Sequence, residues 1–334
     1  MNNKIDFVIL WVDGNDKDWL KEKSLYQPKN DSIENNGKDR FRDWDNLKYW
    51  FRSVEKNAPW VNNIYFITWG HLPSWLNINN PKLKIINHKD FIPKEYLPTY
   101  NSNTIELNLF RIKELSDNFV LFNDDTFIME KVKEKDFFNH NLPVECYSET
   151  INDSNKPCEL HKHTLLNNIA IINKYYKKRD VYKKHFTKYI NLKYGFKDNL
   201  STLLLLRFGS FSMISNKHLP VSLKKNVLED LWKKEFDTFN NSSLNRFRAL
   251  SDISQYLVRY WQLVSGEFYP RNSKFGMYFE LTNDNRKIIN KIKKRKYKVV
   301  CFNDSEVLTD FEKSKTVLNN FLDKKFPEKS KFEK

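Results

Sequence analysis

The chain has 334 residues, with 57 Lys and Arg against 42 Asp and Glu and a formal net charge of +15. Hydrophobic residues make up 40% of it and aromatic residues 15%, which excludes an intrinsically disordered or collagen-like chain. No apolar run approaches the roughly 20 residues of a membrane-spanning helix, and the first residues lack the organisation of a signal peptide. We expect a soluble, cytoplasmic protein whose positive charge suits an anionic partner.

Cysteine usage and missing motifs exclude several classes. Cys146, Cys158 and Cys301 are odd in number and widely spaced, so we expect reduced thiols and neither a disulfide framework nor a CxxC zinc site. No GxGxxG, GxxxxGK[ST], HExxH or GxSxG motif is present. Dinucleotide dehydrogenases, P-loop kinases, zincins and α/β-hydrolases are therefore disfavoured.

Strands and helices alternate through the first part of the chain. Apolar runs at 5–12, 63–69, 83–87 and 119–122 predict buried strands. The stretches 45–56 and 105–115 place apolar residues at helical spacing. This order predicts an α/β fold with a mostly parallel sheet flanked by helices.

The rest of the chain is more helical, with one late strand predicted at 297–302. We divide the chain into an α/β half (1–130), a helical insertion with a candidate acceptor region (131–215), a second catalytic half (216–309) and a basic tail (310–334). We expect the tail to pack against the body of the protein. Contact of the tail with an anionic membrane is the less favoured alternative.

Carboxylates follow three of the predicted strands. They are Asp13, the pair Asp124 and Asp125, and Asp304. Ligands of parallel sheets bind beyond the carboxyl ends of the strands, and carboxylate oxygens suit a hard cation that bridges a diphosphate. Any one of these residues alone is more often a turn or cap residue, but the repetition indicates one cleft.

Two other side chains suit phosphate chemistry. His218 precedes an amphipathic helical stretch and has an unperturbed pKa near neutrality, so it is a candidate proton acceptor. Arg248 lies shortly before Ser251 and Asp252, which are candidate N-caps, and a guanidinium beside a helix N-terminus can bind a phosphate. The alternative for each is an ordinary surface residue.

Taken in chain order, four stretches resemble the conserved regions of the Stealth family. These are bacterial capsule and exopolysaccharide phosphotransferases related to the animal lysosomal-enzyme N-acetylglucosamine-1-phosphotransferase. The first region is matched by residues 6–16. The second is matched by separate segments that run from Arg40-Phe41-Arg42-Asp43 to Asn123-Asp124-Asp125-Thr126-Phe127. The third is matched by residues 218–220 together with 246–252, and the fourth by residues 301–304. The chain departs from the family pattern at Phe51 and Val221 and matches loosely between 131 and 211.

The resemblance implies a GT-A-like or Rossmann-like fold and a defined reaction. A hexose- or N-acetylhexosamine-1-phosphate would pass from a nucleotide diphosphosugar to a hydroxyl of a glycan or lipid-linked oligosaccharide. A UDP-sugar is the favoured donor. A phosphodiester of a capsule or exopolysaccharide would form and a nucleoside monophosphate would leave. Peripheral contact with the inner face of the membrane stays open.

The resemblance also carries residue roles onto this chain. It implies Asp125, His218, Arg248 and Asp304 as catalytic residues. It implies Mg²⁺ (or Mn²⁺) held by Asp124, Asp125 and Asp304. Substrate binding is assigned to Asp13, Gly14, Arg52, Ser102, Glu106, Asn123 and Asn168. For His218, the roles of general base and of phosphate-binding cation both stay open.

Two other functions compete with this one. A GT-A-type glycosyltransferase would bind the same donor but would make a glycosidic bond and release a nucleoside diphosphate. A basic nucleic-acid-binding module would explain the charge, yet carboxylates at three strand ends would repel a nucleic acid. We therefore expect no nucleic-acid partner.

Overall fold

The computed structural model describes residues 4–28, 42–154, 159–304 and 308–334. Arg40, Phe41 and Cys158, which the sequence analysis named, lie outside these ranges. Four parallel strands form the centre of the fold: β1 (Ile5–Leu10), β2 (Ile64–Thr68), β3 (Leu83–Asn87) and β4 (Asn118–Phe122). They pair in the order β3-β2-β1-β4, so the predicted α/β class with a mostly parallel sheet is confirmed.

Seven further strands complete the described sheets. They are β5 (Thr126–Ile128), β6 (Phe138–Asn139), β7 (Leu142–Glu145), β8 (Val221–Lys224), β9 (Tyr269–Pro270), β10 (Gly276–Glu280) and β11 (Val299–Asn303). Strand β8 adds to β4 in antiparallel orientation and completes a five-stranded central sheet. Strands β10, β11 and β5 form a second sheet, in which β11 pairs antiparallel with β5.

Helices cover these sheets. In the described ranges they are α1 (Lys17–Tyr26), α2 (Leu47–Asn57), α3 (His88–Phe91), α4 (Ser102–Leu107), α5 (Leu160–Tyr175), α6 (Lys178–Tyr189), α7 (Phe196–Leu205), α8 (Lys225–Lys234), α9 (Phe236–Leu244), α10 (Tyr256–Val264), α11 (Arg286–Arg295) and α12 (Phe311–Lys325). None of the helices in the described part of the chain combines the length and apolar character that a bilayer crossing requires.

The central sheet is buried on both faces. Along β1, Val8 packs into one apolar cluster, whereas Phe7 and Ile9 pack into another on the opposite face. The first cluster includes apolar residues of α5, α8 and α10, and the second includes those of α2, α12 and the second sheet. Burial on both faces explains why β1 is a continuous apolar run and not an alternating one.

Some predicted boundaries were wrong. The helix expected at 105–115 ends at Leu107 and is followed by a short 3₁₀ turn at Leu109–Arg111, although Ile105, Leu109, Ile112 and Leu115 are all buried. The insertion, expected to be helical, begins with the hairpin of β6 and β7. The expected packing of the C-terminal tail against the body is confirmed, because Leu318, Phe321, Leu322, Phe326 and Phe332 are buried in the second apolar cluster.

Candidate active site

A turn with two adjacent carboxylates joins the central sheet to the second sheet. Asp124 and Asp125 follow β4 of the central sheet and precede β5 of the second sheet. The Thr126 hydroxyl donates to the Asn123 carbonyl at 2.7 Å, and the Phe302 amide donates to the Asp125 carbonyl at 2.9 Å. Both sheets therefore fix the position of this acidic turn.

Asp125 contacts the predicted histidine. His218 Nε2 lies 3.5 Å from Asp125 Oδ2 and 3.3 Å from Asn123 Nδ2. From the second sheet, the Cys301 thiol donates to Asp125 Oδ2 at 3.2 Å. Three possible ligand atoms, one each from Asp125, His218 and Cys301, all lie within 4.8 Å of one another. Three distant parts of the chain therefore meet at one carboxylate.

Opposing effects act on the pKa of His218. Burial lowers this pKa, but the contact with Asp125 and the negative charge of Glu106 raise it, while Arg248 lowers it. The net pKa is raised above the ordinary value of histidine. In the free protein the acidic neighbours thus favour the imidazolium form.

Arg248 lies on a loop that a buried carboxylate holds in place. Asp252 accepts from Asn101 Nδ2 at 2.8 Å, from Asn103 Nδ2 at 3.2 Å and from the Ala249 amide at 3.1 Å. Arg248 Nη2 donates to the hydroxyl of Ser102, the first residue of α4, at 2.8 Å. Ser102 therefore positions the guanidinium that the sequence analysis singled out.

Two more titratable groups lie within the electrostatic range of Arg248 and His218. Burial raises the pKa of Glu106 to about 7, although both positive neighbours oppose the shift. Burial, Arg248 and His218 together lower the pKa of His161 to about 4. Solvent still reaches both side chains, so neither lies in the closed core. Strongly shifted groups concentrated in a cleft are typical of an active site.

The acidic turn fits a divalent cation. Burial, followed by the charge of Asp125, raises the pKa of Asp124 to about 7. Asp125 Oδ1 is buried and has no hydrogen-bond partner among the residues that the structure describes. A bound cation would offset the repulsion between the two carboxylates and would give Asp125 Oδ1 a partner. Carboxylate oxygens are the ligands that Mg²⁺ and Mn²⁺ prefer. Burial and the charge of Asp125 raise the pKa of the Cys301 thiol well above its usual value, so without a bound cation Cys301 is a neutral hydrogen-bond donor to Asp125.

Asp304 follows β11 and binds an arginine. Arg42 donates from Nη2 to Asp304 Oδ1 at 2.6 Å and from Nε to Oδ2 at 2.9 Å, and Trp44 Nε1 donates to Oδ2 at 3.1 Å. The carboxylate of Asp304 thus holds the segment that leads into α2. Its predicted role as a metal ligand stays a prediction.

The predicted donor-site residues Asp13 and Gly14 form the turn after β1. The Asn15 amide donates to Asp13 Oδ1 at 2.9 Å, and the Asp13 amide donates to His71 Nε2 at 2.8 Å. Because β1 and β4 are parallel neighbours, this turn lies at the same edge of the sheet as the acidic turn. Their substrate roles stay predictions.

The structure does not support substrate contacts for two predicted residues. The Arg52 guanidinium is buried against the C-terminal segment, where it donates to both carboxylate oxygens of Glu333 at 2.9 and 2.8 Å and to the Phe326 carbonyl at 2.9 Å. Asn168 is fully buried, and its amide exchanges two hydrogen bonds with Ser254. Packing interactions occupy the polar groups of both residues, so their substrate role stays a prediction without structural support.

Sequence reasoning missed other cleft residues. His161, Cys301 as a partner of Asp125, and Arg42 as a partner of Asp304 were not proposed as site residues. The signal for Cys301 was present, since it lies in the strand that Asp304 directly follows. His161 carried no signal, because its position depends on how the insertion folds back toward Arg248.

Family models match three parts of the chain. They are Stealth protein CR1, conserved region 1, at residues 3–31, CR2, conserved region 2, at 40–145, and CR4, conserved region 4, at 290–334. The acidic turn lies in the second match and Asp304 in the third. None of these three ranges includes His218 or Arg248, so for these two residues the geometry carries the argument.

Similar proteins extend over the whole chain. A capsular polysaccharide phosphotransferase, WcwK, of Streptococcus pneumoniae is 46% identical over 99% of this chain and 98% of its own length. The exopolysaccharide phosphotransferase cps2G of Lactiplantibacillus plantarum is 39% identical, over 99% and 96%. The crystal structure of the galactosyltransferase LgtC superposes over 96% of this chain and 95% of that one, with 10% identity and a TM-score of 0.38.

Proposed function

We propose, on the premise that this chain belongs to the Stealth family, that it is a phosphotransferase of capsular or exopolysaccharide synthesis. It transfers a hexose- or N-acetylhexosamine-1-phosphate from a nucleotide diphosphosugar to a glycan hydroxyl. The observation that carries the proposal is the contact of Asp125 with His218 beside a positioned Arg248. This arrangement offers groups for a cation, a proton and a phosphate within one cleft. A lipid-linked oligosaccharide acceptor would place the enzyme at the inner face of the membrane.

In the proposed reaction, the acceptor oxygen attacks the phosphorus that carries the sugar. A new phosphorus–oxygen bond forms, and the bond to the bridging oxygen of the diphosphate breaks. The nucleoside monophosphate leaves with that oxygen, and the hydroxyl proton is lost. The bond between the sugar C1 and its oxygen is untouched, so the anomeric configuration of the donor is retained.

The residues of the cleft divide this work. Asp124 and Asp125 would hold Mg²⁺ or Mn²⁺, which supplies positive charge to the diphosphate when bound. Arg248, fixed by Ser102, binds the transferred phosphate. His218 either accepts the proton of the hydroxyl or, as imidazolium, donates to a phosphate oxygen. Its raised pKa favours the second state before substrates bind.

The released nucleotide tests the proposal. Purified protein is incubated with a divalent cation, a panel of nucleotide sugars and a short glycan acceptor, and the nucleotide product is identified. We expect a nucleoside monophosphate, and we expect chelation with EDTA to abolish its release. A diphosphate product would instead establish a glycosyltransferase that forms a glycosidic bond.

Alanine variants test the residue roles in the same assay. We expect Asp125→Ala, His218→Ala and Arg248→Ala each to lose at least about 10²-fold in transfer while remaining folded. Asp237→Ala and Arg295→Ala are matched controls, because both residues are exposed and neither contacts the cleft residues described above. Wild-type turnover in one of the first three variants would remove that residue from the mechanism.

A further inference from the structure

The insertion exposes an apolar surface that contains none of the residues assigned to the proposed reaction. Six large apolar side chains within 17 residues are exposed to solvent, and we call them the insertion patch: Leu192, Phe196, Leu200, Leu203, Leu204 and Phe208. The most exposed are Leu192 at 98%, Phe196 at 79% and Leu204 at 63%. Apolar clusters of this kind on a soluble domain mark an interaction surface.

Helix α7 presents this surface in a fixed orientation. Phe196, Leu200, Leu203 and Leu204 follow helical spacing along one face, whereas Thr202 and Leu205 are buried on the other.

Hydrogen bonds hold the buried face of α7 to the body. Thr202 accepts from the Glu149 amide at 3.0 Å, and Ser201 donates to the Glu149 carbonyl at 2.6 Å. Lys178 donates to the Leu205 carbonyl at 2.6 Å. The exposed face is therefore the outer side of an anchored helix.

Basic side chains accompany the insertion patch. Lys193 and Lys197 follow Leu192 and Phe196 directly, and the Arg207 guanidinium lies 4.9 Å from the ring centre of Phe208. Exposed lysines Lys183 and Lys184 lie on the neighbouring helix α6. The acidic residue of α7, Asp198, is already paired with Lys217 at 2.6 Å. The surface thus combines apolar and positively charged groups.

We propose that the insertion patch docks the enzyme on an anionic lipid bilayer. An amphipathic helix with apolar and basic groups on its outer side lies at the interface of an anionic membrane, with its apolar side chains below the head groups. A second copy of the chain fits this surface less well, because the same lysines would face one another across a symmetric interface.

The salt bridge between Asp198 and Lys217 links the docking helix to the active site. Asp198 lies in the first turn of α7, and Lys217 directly precedes His218. A docked α7 would thereby hold the cleft at a fixed orientation to the bilayer, where a lipid-linked acceptor is found. The value of this orientation for reaching a lipid-linked acceptor rests on the proposed function, whereas the docking itself does not.

Vesicle flotation tests the docking. We expect the protein to float with vesicles of phosphatidylglycerol and phosphatidylethanolamine but not with vesicles of phosphatidylcholine. Phe196→Ser/Leu204→Ser should reduce binding to the anionic vesicles at least about tenfold, since both side chains would leave the interface. Lys193→Gln/Lys197→Gln should weaken it several-fold. Ile78→Ser/Phe236→Ser, at exposed apolar positions elsewhere, is the matched control and should bind like the wild type.

Three outcomes would overturn the proposal. The first is equal vesicle binding by wild type and Phe196→Ser/Leu204→Ser, and the second is no vesicle binding by either protein. The third is self-association of the wild type in sedimentation that this variant abolishes, which would make the patch an interface between copies. Transfer to a soluble glycan acceptor, measured in parallel, should be the same in variant and wild type. Its absence from both would refute the proposed function without affecting the flotation result.

Discussion

Asp304 shows that a carboxylate at a strand end can act through another side chain. Its two oxygens accept from Arg42 and Trp44, which precede α2 and lie far away in sequence. The sequence motif identified the residue but not these partners. We infer that Asp304 contributes to the site by placing Arg42 as well as by its own charge.

A double-mutant cycle tests that inference. We expect Asp304→Asn and Arg42→Gln each to reduce transfer at least about 10-fold, and the double variant to be no worse than the poorer single one, because the residues act as one pair. The concentration of Mg²⁺ needed for half-maximal activity should not change. If Asp304→Asn alone raises that concentration, Asp304 is a metal ligand and the positioning role is wrong.

His88 illustrates a polar residue whose role is structural. It begins α3, is buried, and its Nδ1 has no hydrogen-bond partner in the described ranges. Burial, helped by the nearby His71, lowers its pKa to about 4. In the unfolded chain His88 binds a proton near pH 6.5, whereas in the folded protein it does so only near pH 4. Stability is therefore lost as the pH falls from about 6.5 toward 4.

We expect this one group to cost about 2 kcal/mol of unfolding free energy between pH 7 and pH 4.5. Urea unfolding of the wild type and of His88→Gln at both pH values measures the difference, and the variant should lose less stability than the wild type on acidification. His140→Asn is the control, since His140 is exposed. Equal losses in wild type and His88→Gln would show that His88 does not drive the pH dependence.

At the scale of elements, the C-terminal helix and the residues after it complete the body of the protein. Helix α12 packs its apolar face into the core, and residues 326–334 reach back to α2 through Arg52 and Glu333. This ion pair is largely buried on both sides, with exposed fractions of 8% and 5%. Removing one partner from such a pair leaves a buried charge without its counterion.

We expect Arg52→Met to destabilise the protein by about 3 kcal/mol, with the donor KM unchanged. The double variant Arg52→Met/Glu333→Gln should recover part of this loss, because the orphaned charge is gone. Chemical unfolding and steady-state kinetics measure the two effects, and Lys329→Met at an exposed position serves as the control. A raised KM with unchanged stability would restore the substrate role that the sequence suggested.

The elements that sequence reasoning predicted correctly are those that burial alone determines. Strands β1, β2 and β4 are mostly apolar and buried along almost their whole length, so their composition suffices. Strands β5, β8 and β10 were missed because they mix polar with apolar residues, as in Val-Ser-Leu-Lys of β8, and β5 and β8 are also short. Their extended state depends on the partner strand and not on their own sequence.

The same distinction applies to the cleft. Asp124 and Asp125 were predictable, because strand ends gather at one edge of a parallel sheet. The approach of His161 to Arg248 was not, because it depends on long-range packing of the insertion. Glu106 was assigned to the site through the family resemblance alone. The roles of Arg52 and Asn168 could not be judged from the sequence either, since a polar side chain that hydrogen-bonds a buried partner looks the same in sequence as one that contacts a ligand.

At the scale of the whole molecule, the net charge of +15 bears on encounter with the donor. A diphosphosugar is anionic, and a positive field raises its concentration near the cleft. We expect the donor KM to rise about threefold between about 0.05 and 0.3 M salt, with kcat nearly constant, because mobile ions screen the field. Sodium chloride and potassium glutamate should act alike, and a salt-independent KM would contradict the expectation.

The acidic turn is shared by two sheets, and this has a practical consequence. Asp125 lies where the chain passes from β4 to β5, His218 precedes a strand of the central sheet, and Cys301 belongs to the second. A partly denatured form that keeps both sheets but lets them slide apart would retain most of its circular dichroism while losing turnover. Enzyme assays should therefore reveal the earliest loosening of this protein before spectroscopy does.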